Sequence, residues 1–253
     1  MANSPIEPRY FDSFDGVRLA WREVGEGFPV VLIHGYFSNA EVNWLKYGHA
    51  ARIAAAGFRV VMPDLRGHGD SARPHDASAY PPDVLMHDGF ALIEHLRLAD
   101  YHLGGYSLGG RTTVRMLANG ATPRRVIVSG MGLRGLVDTA GRGSYFRHVL
   151  THLGSFERGS AEWLTEAFLK TTAGDPVALL NILDTFVDTP EADIRAIAQP
   201  TLVASGVEDD DNGSAAALAA LLPHGALVEV PGNHMSAVTK SELGTAIAAF
   251  LAA

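Results

Sequence analysis

Ser107, His234 and one acid from the run Glu208-Asp209-Asp210-Asp211 are side chains that together can perform nucleophilic chemistry, and they occur in the chain order serine, acid, histidine. A serine hydroxyl is a weak nucleophile near neutral pH. It needs a base to take its proton, a carboxylate to orient that base, and donors for the oxyanion that forms when it attacks a carbonyl. Ser107 stands in Gly105-Tyr106-Ser107-Leu108-Gly109, between a strand-like stretch, Tyr101 to Leu103, and a run of helical character, Leu108 to Asn119. Turning from strand to helix so abruptly strains the serine backbone, and glycines two positions on either side remove the side chains that would collide there. In a chain with 27 glycines the pattern carries little weight alone. Its company has to give it meaning.

That company depends on the elements that would position it. Val30 to Ile33, Val60 to Met62, Val126 to Val128, Leu202 to Ala204 and Leu227 to Val230 are short continuous apolar runs, as expected of strands buried on both faces of a parallel sheet. Helical patterns separate them: Trp44 to Ala56 ending at Gly57, Pro82 to Leu96, Leu108 to Asn119 ending at Gly120, Gly213 to Leu222, and Glu242 to Leu251. Asp15-Gly16, between two alternating runs in Tyr10 to Val24, predicts a leading β-hairpin. The alternation gives an α/β fold with a doubly wound, mostly parallel sheet. From Leu133 to Thr189 no strand is evident, whereas Ala161 to Thr172 carries apolar residues at helical spacing. We expect a single domain, with a core of residues 1–132 and 190–253 and a helical insertion at 133–189 whose aromatic residues mainly form its own core.

Within that frame the acid run follows the strand Leu202 to Ala204, and His234, in Pro231-Gly232-Asn233-His234-Met235, follows the last strand. Both lie at strand carboxyl ends, the edge along which open α/β sheets place their sites. His224 precedes a strand and falls at the opposite edge.

Three further segments complete the pattern: His34-Gly35 after the third strand, Asp64-Leu65-Arg66-Gly67-His68-Gly69-Asp70-Ser71 after the fourth, and the Gly-x-x-Asp turn Gly206 to Asp209. In these motifs, and in the serine, acid, histidine order, the chain resembles the α/β-hydrolase superfamily over nearly its whole length, in particular small esterase-like and lipase-like members with a helical cap. The resemblance implies Ser107 as nucleophile, His234 as general base and acid, and Asp209 as the orienting carboxylate, with Asp210 the alternative. It also implies an oxyanion hole made by the backbone N–H groups of Tyr36 and Leu108. Phe37, Tyr106 and Met235 are expected pocket residues. A serine at the centre of the turn argues against epoxide-hydrolase or dehalogenase chemistry, which in similar proteins uses an aspartate there. Cleavage of carboxylic esters is the expected reaction. Lactone, thioester, amide or carbon–carbon cleavage, perhydrolysis, and a ligand receptor with a near-inactive triad are the alternatives.

Other groups have plainer readings. His34 and His68 are expected to fix their loops by hydrogen bonding, and His148 with His152 to lie on a solvated helix face. Asn212 or Ser214 is expected to cap the helix that follows the acid run. No cofactor or metal is expected: cysteine is absent and the acids lack a calcium-loop pattern. A net charge of −8 without a basic tract disfavours nucleic acid and anionic membranes, and the resemblance implies a small ester-like molecule as the partner. Met1 to Tyr10 is polar, and no window approaches the run of about 18 apolar residues that would span a membrane. The cytoplasm is the expected location.

Overall fold

The computed structural model describes residues 6–253. The polar N-terminal stretch read above falls partly on residues 1–5, outside the described residues. The strands are β1 (Arg9–Asp12), β2 (Arg18–Val24), β3 (Phe28–Ile33), β4 (Phe58–Pro63), β5 (His102–Tyr106), β6 (Val126–Ser129), β7 (Thr201–Gly206) and β8 (Gly225–Val230). They form one sheet in the order β1-β2-β4-β3-β5-β6-β7-β8. β2 runs antiparallel to β1 and β4 and completes the leading hairpin. Every pairing from β4 to β8 is parallel.

Alternate residues of the central strands feed two apolar layers. Val30 and Leu32 of β3 pack with Ala50 and Ile53 of α1 (His49–Ala55) and with Leu243, Ile247 and Leu251 of α11 (Ser241–Ala252) on one face. Val31 and Ile33 pack on the other, with Val84, Leu85 and Leu92 of α2 (Val84–His95) and Leu108 and Met116 of α3 (Leu108–Ala118). Burial on both faces explains the unbroken apolar runs, since each aliphatic side chain removed from water contributes about 1.5–3 kcal/mol. Between β6 and β7 come α4 (Arg134–Val137), α5 (Ala140–Thr151), α6 (Ala161–Thr171), α7 (Pro176–Leu183) and α8 (Glu191–Arg195), with no strand among them. After β7 follow α9 (Ala215–Leu221) and, beyond β8, the short α10 (His234–Ala237).

One expected helix is interrupted. Trp44 to Ala56 does not form a single helix: Glu41–Leu45 is a π-helical turn, and α1 begins only at His49. Gly48, at φ 74°, takes the left-handed conformation between them, which lets Trp44 turn fully into the core while Ile53 packs from the second segment.

The sheet register sets the site. Ile33 pairs with Gly105, Gly105 with Val128, Val128 with Val203 and Val203 with Leu227, so the segments that leave these strands emerge along one edge. At the centre of that edge Ser107 has φ 54° and ψ −113°, and α3 starts at the next residue. The two flanking glycines are there for want of space. A Cβ on Gly105 would lie 2.3 Å from the Gly109 carbonyl carbon, and one on Gly109 would lie 2.1 Å from the Ile33 carbonyl oxygen. Both obstacles are backbone, so neither can swing aside.

Gly109→Ala should therefore destabilise the fold by about 3 kcal/mol, at the upper end for overpacking, read as a lowered midpoint in urea unfolding. A change below about 0.5 kcal/mol would show that α3 can retreat from β3 without cost.

Candidate active site

Ser107, Asp209 and His234 meet at the carboxyl edge of the sheet. The Ser107 Oγ lies 3.0 Å from His234 Nε2. The other ring nitrogen, Nδ1, lies 2.9 Å from Asp209 Oδ2 and 3.1 Å from Oδ1. With the proton on Nδ1 and donated to Asp209, Nε2 keeps its lone pair for the serine hydroxyl, which is the tautomer a general base requires. Asp210 is exposed and has no part in this chain, so of the two acids left open by the sequence it is Asp209 that reaches the imidazole.

Each member is held from behind. His234 opens α10, capped by Asn233, whose side chain accepts from the amides of Met235 and Ser236. Tyr106 donates its phenol to the His234 carbonyl oxygen at 2.6 Å, and its ring lies 5.5 Å from the imidazole. Tyr106 does border the cavity as expected, yet its polar end tethers the histidine loop; burial pushes its phenol well above the ordinary pKa, so the tether stays protonated. Asn212 does not cap α9: it donates to the Gly130 carbonyl oxygen at 3.0 Å and fastens the acid loop to the end of β6. Ser214 is the cap, accepting from the Ala217 amide.

The loop after β3 faces the serine. A Cβ on Gly35 would lie 3.4 Å from the Ser107 Cβ, and among the described residues neither the Tyr36 nor the Leu108 amide donates an intramolecular hydrogen bond. Leu108 is the first residue of α3, where unpaired amides and the helix dipole favour negative charge. Three side chains pin the loop. Asn43 accepts from the Gly35 amide at 2.9 Å. His34 accepts at Nε2 from the Leu65 amide and donates from Nδ1 to the Gly35 carbonyl. Asp64 accepts from the amides of Ala40 and Asp70 and pairs with Arg22. Burial lowers His34 from 6.5 to about 4 and His68 to about 3, so both are neutral loop supports.

A cavity of about 570 Å³ opens over Ser107, bordered by Tyr36, Phe37, Val42, Tyr47, Met235 and Val238 from the sheet side. Tyr36 and Phe37 line it while remaining largely buried, and Met235 is half exposed at its rim. Tyr145, Phe146, Leu164 and Phe168 of α5 and α6 close it from above. This corrects the expectation that the insertion's aromatic residues mainly form their own core: Phe146 packs edge-on against Tyr36 and Phe37 at 4.8 and 5.2 Å, reaching across the cavity to the β3 loop. Helical periodicity marks an apolar face but not what it faces. Asn43 and Tyr106 were likewise illegible as supports: Tyr106 acts across a gap of 128 residues, and Asn43 acts through the way its loop folds back onto Gly35. His148 on α5 and His152, just past its end, lie exposed. Among the described residues Asp209, Asp211 and His234 are the group whose donor atoms, within 4.8 Å of one another, are arranged for a cation; Asp209 is bonded to His234, and Asp211 to Arg142. No helix among the described residues is long and apolar enough to cross a membrane.

Comparison with known proteins agrees with this architecture. Residues 30–242 match the model of the alpha/beta hydrolase family. A dihydrolipoyllysine-residue acetyltransferase component of an acetoin cleaving system from Pseudomonas putida is 35% identical over 50% of this chain and 36% of that protein. An epoxide hydrolase from Caballeronia sordidicola is 36% identical over 38% of this chain and 28% of that protein. The matched segments thus span about a third of these relatives or less. A crystal structure of a hydrolase from Pseudomonas aeruginosa superposes over 100% of both chains with a TM-score of 0.79 at 24% identity, which is a likeness of fold.

The state of His34 has a pH signature. Its native pKa lies near 4, below the 6.5 of the unfolded chain, so the unfolded state takes up the proton first. The stability that His34 contributes is complete above about pH 6.5 and is lost as pH falls towards about 4. At pH 7.5 the wild type should exceed His34→Gln by about 1–3 kcal/mol, the cost of leaving the Leu65 amide unpaired. In urea unfolding that gap should narrow steadily below pH 6.5; a gap that widens there would mean the buried imidazole is charged.

Proposed function

The chain belongs to the alpha/beta hydrolase family, and from that membership and the geometry around Ser107 we propose that it is a serine hydrolase that cleaves carboxylic esters of small or medium-sized molecules through an acyl-enzyme. The observation that carries this reading is the continuous hydrogen-bond chain from Asp209 through His234 to Ser107, whose hydroxyl end opens on a cavity. Ser107 Oγ attacks the ester carbonyl as His234 Nε2 takes its proton. Asp209 stabilises the resulting imidazolium, and the amides of Tyr36 and Leu108 hold the oxyanion. Collapse of the tetrahedral intermediate breaks the carbonyl–oxygen bond, and the alcohol leaves with the proton from His234. Water, deprotonated by the same imidazole, then attacks the acyl-enzyme and releases the acid and Ser107.

The walls support an uncharged substrate. Aromatic and aliphatic side chains dominate the cavity, and its cation and nearby anion, Arg142 and Asp211, pair with each other. Uncharged acyl and alcohol groups suit such a lining, because a charged one would be desolvated without a free partner. We take residues 133–189 as the cap that forms the roof. The resemblance to an epoxide hydrolase does not extend to its chemistry in this reading, since a serine rather than an aspartate stands at φ 54° on the turn.

With short p-nitrophenyl esters, Ser107→Ala should abolish turnover without changing the far-UV circular dichroism. Asp209→Asn should lower kcat by about 10⁴ through loss of the Nδ1–H tautomer, while Asp210→Asn leaves it within about twofold. Ester turnover retained by Ser107→Ala would overturn the reading. Matched lactone and thioester substrates, and acetate with hydrogen peroxide, run in the same assay, separate ester cleavage from the other reactions the same groups could serve.

A further inference from the structure

Asp211 and Arg142 form an ion pair across the mouth of the cavity that the proposed reaction does not use. Arg142 Nη2 donates to Asp211 Oδ2 at 2.5 Å, joining the roof helix α5 to the acid loop over a sequence gap of 69 residues. The guanidinium also lies over the rings of Tyr145 and Phe146, at 5.2 and 4.8 Å, which fixes its place in the roof. Asp211 is close to the reacting groups: a carboxylate oxygen of Asp211, one of Asp209 and a ring nitrogen of His234 all lie within 4.8 Å of one another.

We infer that Arg142 is a positioning residue for the proposed reaction, acting through Asp211: it neutralises a second carboxylate that would otherwise act on the His234 imidazole beside Asp209. The inference rests on the reading of His234 as the base and adds the device that sets its proton affinity. Asp209 is needed to orient the ring, but a second uncompensated carboxylate beside it would favour the imidazolium over the neutral ring. The other charged groups on and against the acid loop do not replace Arg142. From α4, Arg134 reaches the main-chain carbonyls of Asp210 and Asp211 at 3.4 Å, and has no carboxylate partner there. Glu208 and Asp210, on the same loop as Asp211, are exposed to solvent, where water screens them. Tyr106, from β5, is held as the neutral phenol by its burial, to which the charges of Asp209 and Asp211 add.

The test is a charge-swap cycle read by proton affinity. A unit charge about 5 Å away in a partly solvated site shifts a pKa by about 0.5–1 unit. In low salt, Arg142→Met should move the acid limb of the kcat/KM profile up by that amount, so that activity falls at pH 6 and is little changed at pH 8.5. Asp211→Asn should move the limb down, and the double variant should return it to within about 0.2 unit of wild type. Added salt to 0.5 M should shrink both shifts. The same order should appear in the His234 imidazole titration followed by NMR in a Ser107→Ala background, which does not depend on turnover. If both single variants shift in the same direction, or neither shifts in low salt, the pair is merely structural and the inference fails. Failure of the hydrolase reading shows separately, as ester turnover that survives Ser107→Ala.

Discussion

The close approach of α3 to the sheet constrains everything else at this site. Gly109 sits so near the Ile33 carbonyl, and Gly105 so near Gly109, that no side chain fits at either position. This contact lets a helix start where β5 stops, and it holds Ser107 in a left-handed conformation that an L-residue rarely adopts. The strain is distributed over a well-packed neighbourhood, with β3 buried on both faces and β5 paired on both edges. Because the strands are in register, fixing Ser107 also fixes the places from which the acid and histidine loops can reach it.

Around this point the buried polar groups divide by what solvent they see. His34 and His68 are shut away and neutral: His34 spends both ring nitrogens on backbone, whereas His68 uses Nδ1 on the Arg66 carbonyl and leaves Nε2 without a partner among the described residues. Arg66 is also fully buried, but its charge is met by Asp15 and Asp88, whose hydrogen bonds outweigh the burial that works against it and raise its pKa further. Asp64 follows β4 and staples the neighbouring loops through amides and Arg22, a supporting task for a carboxylate that sits near the same edge as Ser107. His234 differs from all of these. It lies on the wall of a cavity, bonded to a carboxylate at one nitrogen and a hydroxyl at the other. Those contacts let it move a proton rather than hold one.

What the sequence made legible follows the range over which each signal acts. The apolar runs of β3, β4, β6 and β7, the hairpin at Asp15-Gly16 and the glycines around Ser107 are local consequences of burial and backbone space, and all appear close to where they were read; β8 also forms where expected, but at the sheet edge it is largely exposed rather than buried on both faces. The break at Gly48 was missed because the apolar spacing of Trp44 to Ala56 continues through it, while one left-handed glycine redirects the chain. Asp209 and His234 could be placed on the right edge, yet their contact spans 25 residues and depends on how two loops fold back. The cap was the least legible. Nothing in α5 or α6 says that Phe146 faces the β3 loop, or that Arg142 finds Asp211, since both depend on how the helical segment is docked over the sheet.

The central claim is that His234 activates Ser107 as a covalent nucleophile. Incubation with a fluorophosphonate, followed by tryptic mass spectrometry, tests it most directly. The expected result is one stoichiometric adduct, on the peptide that contains Ser107, formed rapidly by the wild type and at least about a hundredfold more slowly by His234→Gln, in keeping with the contribution of a positioned general base. An unmodified Ser107 in the wild type, or equal labelling in the two proteins, would contradict it.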